Sequence, residues 1–194
     1  CGAGAVTEQL QQYAMERGLF YPVDFASSGS SQIGGNISTN AGGIKVIRHG
    51  MTRDWVAALK VVNGTGELLD LNRGLVKNNS GYDLRQLVIG AEGTLGVVVE
   101  ATMRLTTPPQ ESAVLVLGAP DMTSIMHVLR TYQDSIELSA FEFFSELALQ
   151  KVVEHQGLQR PFETPTEFYA LLEFEQRNEK VMEQAMALFE HCVE

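Results

Sequence analysis

Two glycine-rich segments are the part of this 194-residue chain whose residue types and spacing could bind a ligand. The first reads IGGNISTNAGG at residues 33–43, and the second reads GAEGTLG at residues 90–96. A residue without a Cβ lets the backbone approach a ligand closely and adopt positive φ, so glycine at this density indicates a site for a large cofactor. Each segment alone is equally consistent with a tight turn in an ordinary sheet protein.

Neither segment fits the two familiar motifs that bind nucleotide phosphates. The stretch that starts at Gly29 has the GxxxxG spacing of a P-loop, but Gly35 occupies the position where that motif requires lysine. The GxGxxG fingerprint begins near the start of the chain, but Thr7 occupies its third glycine position. What remains is a loop whose amide groups around residues 34–36 could surround an anion, such as a diphosphate, without a cation.

The sequence around these segments predicts the elements that must position them. A short amphipathic helix is expected at residues 8–17, where Gly18 ends it. Strands are expected at residues 55–62, 67–71, 87–89 and 97–105. The first two of these strands are joined by an Asn-Gly-Thr-Gly turn, which is a strong hairpin signal. The first part of the chain is therefore expected to be mainly sheet.

The composition changes at the Pro108-Pro109 pair, which predicts a domain boundary there. Residues 1–107 carry 9 basic and 9 acidic side chains, whereas residues 108–194 carry 5 and 15. Of the 18 glycines, 16 precede the proline pair. After it, strands at 114–117, 138–144 and 168–174 alternate with helices at 122–132, 146–155 and 179–192. This order predicts a small α+β layer of ferredoxin-like type, with helices covering one face of a sheet.

Charge and cysteine content exclude several classes of function. A net charge of −10 without a basic cluster argues against binding of nucleic acid. The two cysteines, Cys1 and Cys192, offer no disulfide framework and no metal-ligand spacing, so a reducing compartment, the cytoplasm, is expected. No apolar run approaches the length of a membrane span. Because the chain does not start with Met, its natural N-terminus and any targeting signal are expected to lie upstream.

Several motifs resemble, in order and spacing, those of one enzyme family. They are PxD at residues 22–24, HGxTRD at 49–54, KNNSGYDL at 77–84 and the two glycine segments. Together they resemble the FAD-linked oxidases of vanillyl-alcohol-oxidase (PCMH) type, and most closely the D-2-hydroxyacid dehydrogenase group. That group contains D-2-hydroxyglutarate and D-lactate dehydrogenases and the flavin subunit of glycolate oxidase. The string SAFEF at residues 139–143 looks most like the D-2-hydroxyglutarate branch.

The resemblance implies a fold, a cofactor and a set of site residues. Residues 1–107 would be the second half of a PCMH-type FAD-binding domain, and residues 110–194 the beginning of a ferredoxin-like cap domain that binds substrate. FAD would be held non-covalently, mainly through backbone groups. The implied cofactor-binding residues are Gly34, Gly35, Asn36, Thr39, Asn40, Gly42, Gly43, Glu92, Gly93, Gly96 and Val97.

The resemblance also implies a reaction. A D-2-hydroxyacid would be oxidised to the 2-oxoacid, with a hydride passing to flavin N5 and then to an electron acceptor that the sequence does not identify. The family's first phosphate loop lies upstream of this chain, and its metal and carboxylate ligands lie downstream. We therefore expect this segment alone to be inactive, a divalent metal only in the full-length protein, and no catalytic residue here. A homodimer is a further expectation.

Two other functions stay open from the sequence alone. One is a sugar or alcohol oxidase of the same superfamily, in which flavin is often covalently attached. The other is a non-catalytic binding module that retains the fold without the chemistry. The sequence downstream of this chain would distinguish an enzyme from a module, because only the enzyme needs the histidine-rich metal motif.

Further polar residues are candidates for supporting roles. The four histidines have no mutual spacing suited to a metal; His49 alone is placed near the flavin by resemblance. The other three, His127, His155 and His191, are expected on helix surfaces. Glu92 could position part of the flavin or fix its own turn. Tyr82 and Asp83 could line the site, although a buried tyrosine with a satisfied hydroxyl is the more common case. Arg53 and Asp54 are expected to form a local ion pair.

Overall fold

The computed structural model describes residues 1–72 and 75–193, and the chain divides into two compact units, Cys1–Pro108 and Pro109–Glu194. In the first unit the helices are α1 (Thr7–Met15), α2 (Ile33–Thr39), α3 (Val46–His49), α4 (Thr52–Trp55) and α5 (Arg85–Val88). Its strands are β1 (Val56–Val62), β2 (Leu68–Leu71) and β3 (Val97–Met103). The strands form an antiparallel sheet in the order β2-β1-β3.

The predicted hairpin between β1 and β2 is confirmed. The backbone N–H of Asn63 donates to the carbonyl of Glu67 (3.0 Å). The Asn63 side-chain oxygen accepts hydrogen bonds from the backbone N–H groups of Thr65 (3.0 Å) and Glu67 (2.9 Å). Asparagine at this position holds the turn because its short side chain can bond to the backbone two residues further on.

Helix α2 lies against the sheet and corrects the prediction that the first glycine segment is a loop. Ile33 and Ile37 are one helical turn apart, and both are fully buried in the same core as Leu59 and Val61. The amphipathic spacing therefore outweighs the low helix propensity of the two glycines between them, because tertiary packing supplies most of the stability of a short helix.

Two further expectations for the first unit are wrong. Instead of the strand expected at residues 87–89, residues 87 and 88 belong to helix α5, although the run 87–89 is apolar. A run of only three or four apolar residues does not distinguish a strand from one turn of helix. With five helices and three strands among the described residues, the unit is mixed rather than mainly sheet.

The second unit alternates strands and helices as its sequence predicts. Its elements are β4 (Ser112–Ala119), α6 (Met122–Gln133), β5 (Leu138–Ser145), α7 (Glu146–Gln156), β6 (Phe168–Glu175) and α8 (Glu179–Val193). Strand β6 lies between β4 and β5 and is antiparallel to both. Strands β4 and β5 are therefore parallel to each other and joined through α6. This is the split βαβ arrangement of ferredoxin-like folds, so the predicted α+β class is confirmed.

Polar contacts define where the helices of the second unit begin and end. Asp121 caps α6 by accepting from the backbone N–H of Ser124 (2.7 Å), and Ser145 caps α7 in the same way through Ala148 (3.3 Å). Gly157 ends α7 with a φ of 65°, a left-handed conformation that glycine adopts at little cost. Inside the unit, the buried Tyr132 hydroxyl donates to the carbonyl of Ala185 (2.9 Å) and so ties α6 to α8.

Candidate cofactor site

The structure brings the two glycine segments together at the C-terminal end of α2. The backbone N–H of Gly90 donates to the carbonyl of Ile37 (3.0 Å), and that of Glu92 donates to the carbonyl of Ser38 (2.8 Å). The last carbonyls of a helix have no partner within the helix, so the second segment satisfies two of them. Stretches more than 50 residues apart in sequence therefore form one surface.

Arg53 strengthens the same junction. Asn40, the left-handed residue that ends α2 (φ 49°), accepts the backbone N–H of Arg53 through its side-chain oxygen (3.0 Å). The Arg53 guanidinium donates to the carbonyl of Ile89 (3.0 Å) and to the side chain of Gln86. Asp54 instead accepts the backbone N–H of Met51 (2.9 Å). No ion pair joins Arg53 and Asp54 among the contacts of the described residues, so the prediction of a local ion pair is wrong.

The predicted cofactor-binding residues differ in how accessible they are. The buried members of the set are Gly34 and Asn36; Asn40, Gly43 and Gly96 are half-buried; Gly35, Thr39, Gly42, Glu92, Gly93 and Val97 are exposed. Since a ligand can only touch what the protein leaves accessible, the exposed members form the part of the set that a cofactor could reach directly.

Most of the glycines are explained by contacts within the protein. A Cβ on Gly34 would lie 2.7 Å from the Cβ of Ala3, and a Cβ on Gly43 would overlap the carbonyl oxygen of Asp24. A Cβ on Gly96, whose φ is 147°, would lie 2.7 Å from the carbonyl oxygen of Val62. These positions need glycine for close backbone packing, whether or not a ligand binds nearby.

Gly35 is different, and it provides the test of whether this surface fits FAD. It lies in α2 on the exposed side, and a Cβ built there would meet no heavy atom within 4 Å. Glycine in a helix costs about 1 kcal/mol relative to alanine. Neither packing nor positive φ explains that cost at Gly35, whereas a flat ligand lying against the helix backbone would. Thr39, one turn further on, shares this exposed side, and its hydroxyl donates to the Gly35 carbonyl (3.1 Å). The surface fits a dinucleotide in this respect.

Residues 34–36, the predicted anion-binding loop, lie in helix α2 instead, and two of their three backbone N–H groups are bonded within the protein. The Gly34 N–H donates to the carbonyl of Ala3 (2.8 Å), and the Asn36 N–H donates to the carbonyl of Gln32 (2.9 Å). The Asn36 side chain, only 6% exposed, donates to the hydroxyl of Thr7 (2.7 Å). These groups are engaged inside the protein and hold α2 in place.

Glu92 has an unusual backbone conformation. Its φ is 52°, in the left-handed region that residues other than glycine rarely adopt, and it lies between two glycines of positive φ, Gly90 and Gly93. The hydrogen bond from its N–H to Ser38 fixes this turn, and its side chain is exposed. Strained residues of this kind are concentrated at functional sites, so Glu92 is the carboxylate of this surface to test first.

The other candidate residues named from the sequence are His49, Tyr82 and Asp83, and they differ in their contacts and exposure. His49 contacts the rings of Phe20 and Trp55 edge-on, at centroid distances of 6.1 and 6.3 Å. Tyr82 is 97% exposed, so the expectation that its side chain is buried is wrong. Asp83 accepts two hydrogen bonds from the Arg85 guanidinium (2.7 and 2.8 Å), which lower the pKa of its carboxyl group below 3.8.

Sequence reasoning gave Arg85 no role, yet it connects two parts of the first unit. Its guanidinium donates to the carbonyls of Val56 (3.0 Å) and Ala57 and thereby holds the start of α5 against β1. No motif signals this role, because the acceptors are backbone groups that lie nearly 30 residues away in sequence.

Among the described residues, no helix is long and apolar enough to cross a membrane, and no cluster of His, Cys, Asp and Glu side chains has the geometry of a metal site. The side chain of His191 lies outside the described part of the chain. Cys1 and Cys192 form no disulfide.

Comparison with known proteins agrees with the fold and with the motifs. Residues 1–72 match the model of an FAD binding domain, and residues 108–194 match the C-terminal domain of FAD linked oxidases. The chain belongs to the FAD-linked oxidase family, as its motifs predict. In fold it is similar to alkyldihydroxyacetonephosphate synthase, with a TM-score of 0.75 at 19% identity over 99% of this chain and 37% of that one.

Within the family, several curated relatives are named D-2-hydroxyglutarate dehydrogenase. The chain is 66% identical over 194 residues to that of Stutzerimonas stutzeri (strain A1501), and 54% identical over 192 residues to that of Xanthomonas citri pv. viticola. It is 43% identical over 176 residues to the mitochondrial enzyme of Bos taurus. These alignments include 100%, 99% and 89% of this chain, but only 42%, 40% and 32% of the relatives. The chain thus spans less than half the length of these relatives.

Proposed function

We propose that this chain is part of an FAD-dependent dehydrogenase that oxidises D-2-hydroxyglutarate, or a closely related D-2-hydroxyacid, to the 2-oxoacid. The observation that carries the proposal is the 66% identity to a D-2-hydroxyglutarate dehydrogenase along the entire chain. The similarity runs through both units, so it includes both glycine segments and the SAFEF string. It favours D-2-hydroxyglutarate over D-lactate as the substrate.

The cofactor would be held non-covalently by the first unit. Residues 1–107 would form the second half of the FAD-binding domain, and residues 110–194 would begin the cap domain. Bound FAD would supply the redox chemistry by accepting a hydride from C2 of the hydroxyacid. The chain's own residues would bind and orient it, with the exposed members of the predicted set in contact: Gly35, Thr39, Gly42, Glu92, Gly93 and Val97. The buried members of the predicted set, Gly34 and Asn36, would act indirectly by fixing α2.

Backbone groups, rather than charged side chains, would orient FAD, which explains why this surface carries few charges. The junction between α2 and the second glycine segment is held by backbone hydrogen bonds and by Arg53, so its shape is formed before a ligand arrives. A preformed surface lowers the entropy lost on binding, and it keeps the reacting atoms in a productive geometry. This role requires no catalytic acid or base from the chain itself.

The full-length protein that contains this chain provides the test. Under anaerobic conditions, addition of D-2-hydroxyglutarate should bleach the visible absorbance of the bound flavin. L-2-hydroxyglutarate should leave it unchanged, and D-lactate should act weakly. Flavin should stay in the supernatant after acid precipitation, because it is not covalently attached. A preparation that contains no flavin, or whose flavin only sugars or simple alcohols reduce, would rule out the proposal.

The proposal also includes a metal, an electron acceptor, a location and an oligomeric state for the full-length protein. A divalent metal is expected in the full-length enzyme, so treatment with a chelator should lower turnover and the metal should restore it. The electron acceptor is a separate molecule that must reoxidise the flavin. A cytoplasmic location and a homodimer also belong to the proposal, and sedimentation of the full-length protein would test the dimer.

A further inference from the structure

Arg53 is the side chain that connects the parts of the candidate cofactor surface. Its backbone N–H bonds to Asn40 at the end of α2, and its guanidinium bonds to the carbonyl of Ile89, the residue just before the second glycine segment. A single residue thus contacts the ends of two segments that are about 50 positions apart.

We propose that Arg53 is a positioning residue that holds the second glycine segment against α2 and thereby sets the affinity of this surface for FAD. The proposal rests on the proposed function. The contacts expected for FAD are divided between α2, with Gly35 and Thr39, and the second segment, with Glu92 and Gly93. If the two stretches separate, FAD must bring them together as it binds, and the cost of that ordering is subtracted from its affinity.

The packing around Gly90 leaves room for the side chain of Arg53. Gly90 has a φ of 84°, and a Cβ on it would lie 3.3 Å from the Cβ of Asn40 and 3.6 Å from a terminal nitrogen of Arg53. The absence of a side chain at Gly90 lets the guanidinium and Asn40 approach the backbone of the second segment. The planar fork of arginine can then reach Ile89 and Gln86 at once, which the single ammonium of lysine does less well.

Charge attraction is a different role that Arg53 could have at this surface. Arg53 is a cation next to a surface proposed to bind a diphosphate, so it could in principle attract the ligand directly. The acceptors of its guanidinium, the Ile89 carbonyl and the Gln86 side chain, are neutral, so these contacts fix its position and leave its charge in place. Positioning depends on the shape of the guanidinium, whereas attraction depends only on its charge. Lysine keeps the charge and loses the shape, so the two roles predict different results for Arg53→Lys.

The test uses full-length protein from which FAD has been removed, and it measures the Kd for FAD by fluorescence titration. Arg53→Met should weaken FAD binding at least about tenfold, which corresponds to about 1.4 kcal/mol. Arg53→Lys should recover little of this loss. The matched control is Arg160→Met, which removes a partly buried guanidinium bonded to Glu146 (2.7 Å) in the second unit. The Arg160→Met variant should have a lower thermal stability but an unchanged Kd for FAD.

A second measurement needs no FAD. In the unloaded protein, Arg53→Met should make the amide hydrogens of Gly90 and Glu92 exchange at least about tenfold faster, because their bonds to Ile37 and Ser38 open more often. Unchanged exchange, or an unchanged Kd in Arg53→Met, would overturn the positioning role, as would full recovery by Arg53→Lys. If the wild type itself binds no FAD, the proposed function fails, while the exchange measurement still tests the connection.

Discussion

Substitution of Gly35 by alanine separates a glycine required by the fold from one required by a ligand. The position is helical and exposed, and no heavy atom lies within 4 Å of the added Cβ. Alanine is favoured over glycine in helices by up to about 1 kcal/mol. We therefore expect the unloaded Gly35→Ala protein to be as stable as the wild type or more stable, by up to about 1 kcal/mol in urea denaturation.

FAD binding should change in the opposite direction. If the cofactor lies against the backbone at Gly35, the new methyl group occupies space that the ligand needs. Overpacking by one methyl group typically costs about 1–3 kcal/mol, which is a roughly 5- to 150-fold increase in Kd. Fluorescence titration of the unloaded full-length protein measures this directly. A variant that is more stable and yet binds its cofactor less well is a combination that general damage to the fold cannot produce.

Gly34→Ala is the matched control, one residue away in the same helix. Its Cβ would lie 2.7 Å from the Cβ of Ala3, so this variant should lose stability because α2 must shift. Any loss of FAD binding in Gly34→Ala should therefore accompany a loss of stability. Wild-type affinity for FAD in a folded Gly35→Ala protein would refute the assignment of this side of α2 to the cofactor.

Three further predictions concern the second unit. Tyr132→Phe removes the hydrogen bond from the buried hydroxyl to Ala185 (2.9 Å) and should lower the free energy of unfolding by about 1 kcal/mol, measured by urea denaturation. Gly157→Ala forces alanine into a φ of 65° and should cost about 1–2 kcal/mol in the same assay, so an unchanged midpoint would contradict the assigned α7 cap. Hydrogen bonds from Tyr169 (2.6 Å) and Arg160 (2.7 Å) lower the pKa of Glu146 below 4.5, so its stabilising effect should be complete above pH 4.5 and should be lost as the pH falls through the lowered pKa. Thermal melts across this range should show a weaker acid dependence in Glu146→Gln than in the wild type.

The second unit could be predicted well from the sequence because each of its elements carries its own signal. Helix α6 has Ile125 and Leu129 at helical spacing, and its capping residue, Asp121, immediately precedes it. Gly157 marks the end of α7 at the expected place. Local propensity, periodicity and caps all agree there, which is the condition under which reasoning from sequence is most dependable.

The candidate site was less predictable because its elements depend on distant contacts. The two glycines of α2 argue against a helix, and only the burial of Ile33 and Ile37 in a core built from β1 and β3 overcomes them. The same holds for Arg53, for which the sequence suggests a pair with its neighbour but which bonds to groups 33 and 36 positions away. The motifs identified which segments matter, whereas their contact with each other follows from the tertiary structure.

The most direct test of the proposed cofactor surface is a crystal structure of the full-length protein with FAD bound. We predict that the cofactor lies in van der Waals contact with the exposed side of α2 at Gly35, and that the turn at Glu92 and Gly93 contacts the same molecule. A structure in which FAD binds elsewhere, with the side of α2 at Gly35 covered by protein alone, would contradict this prediction.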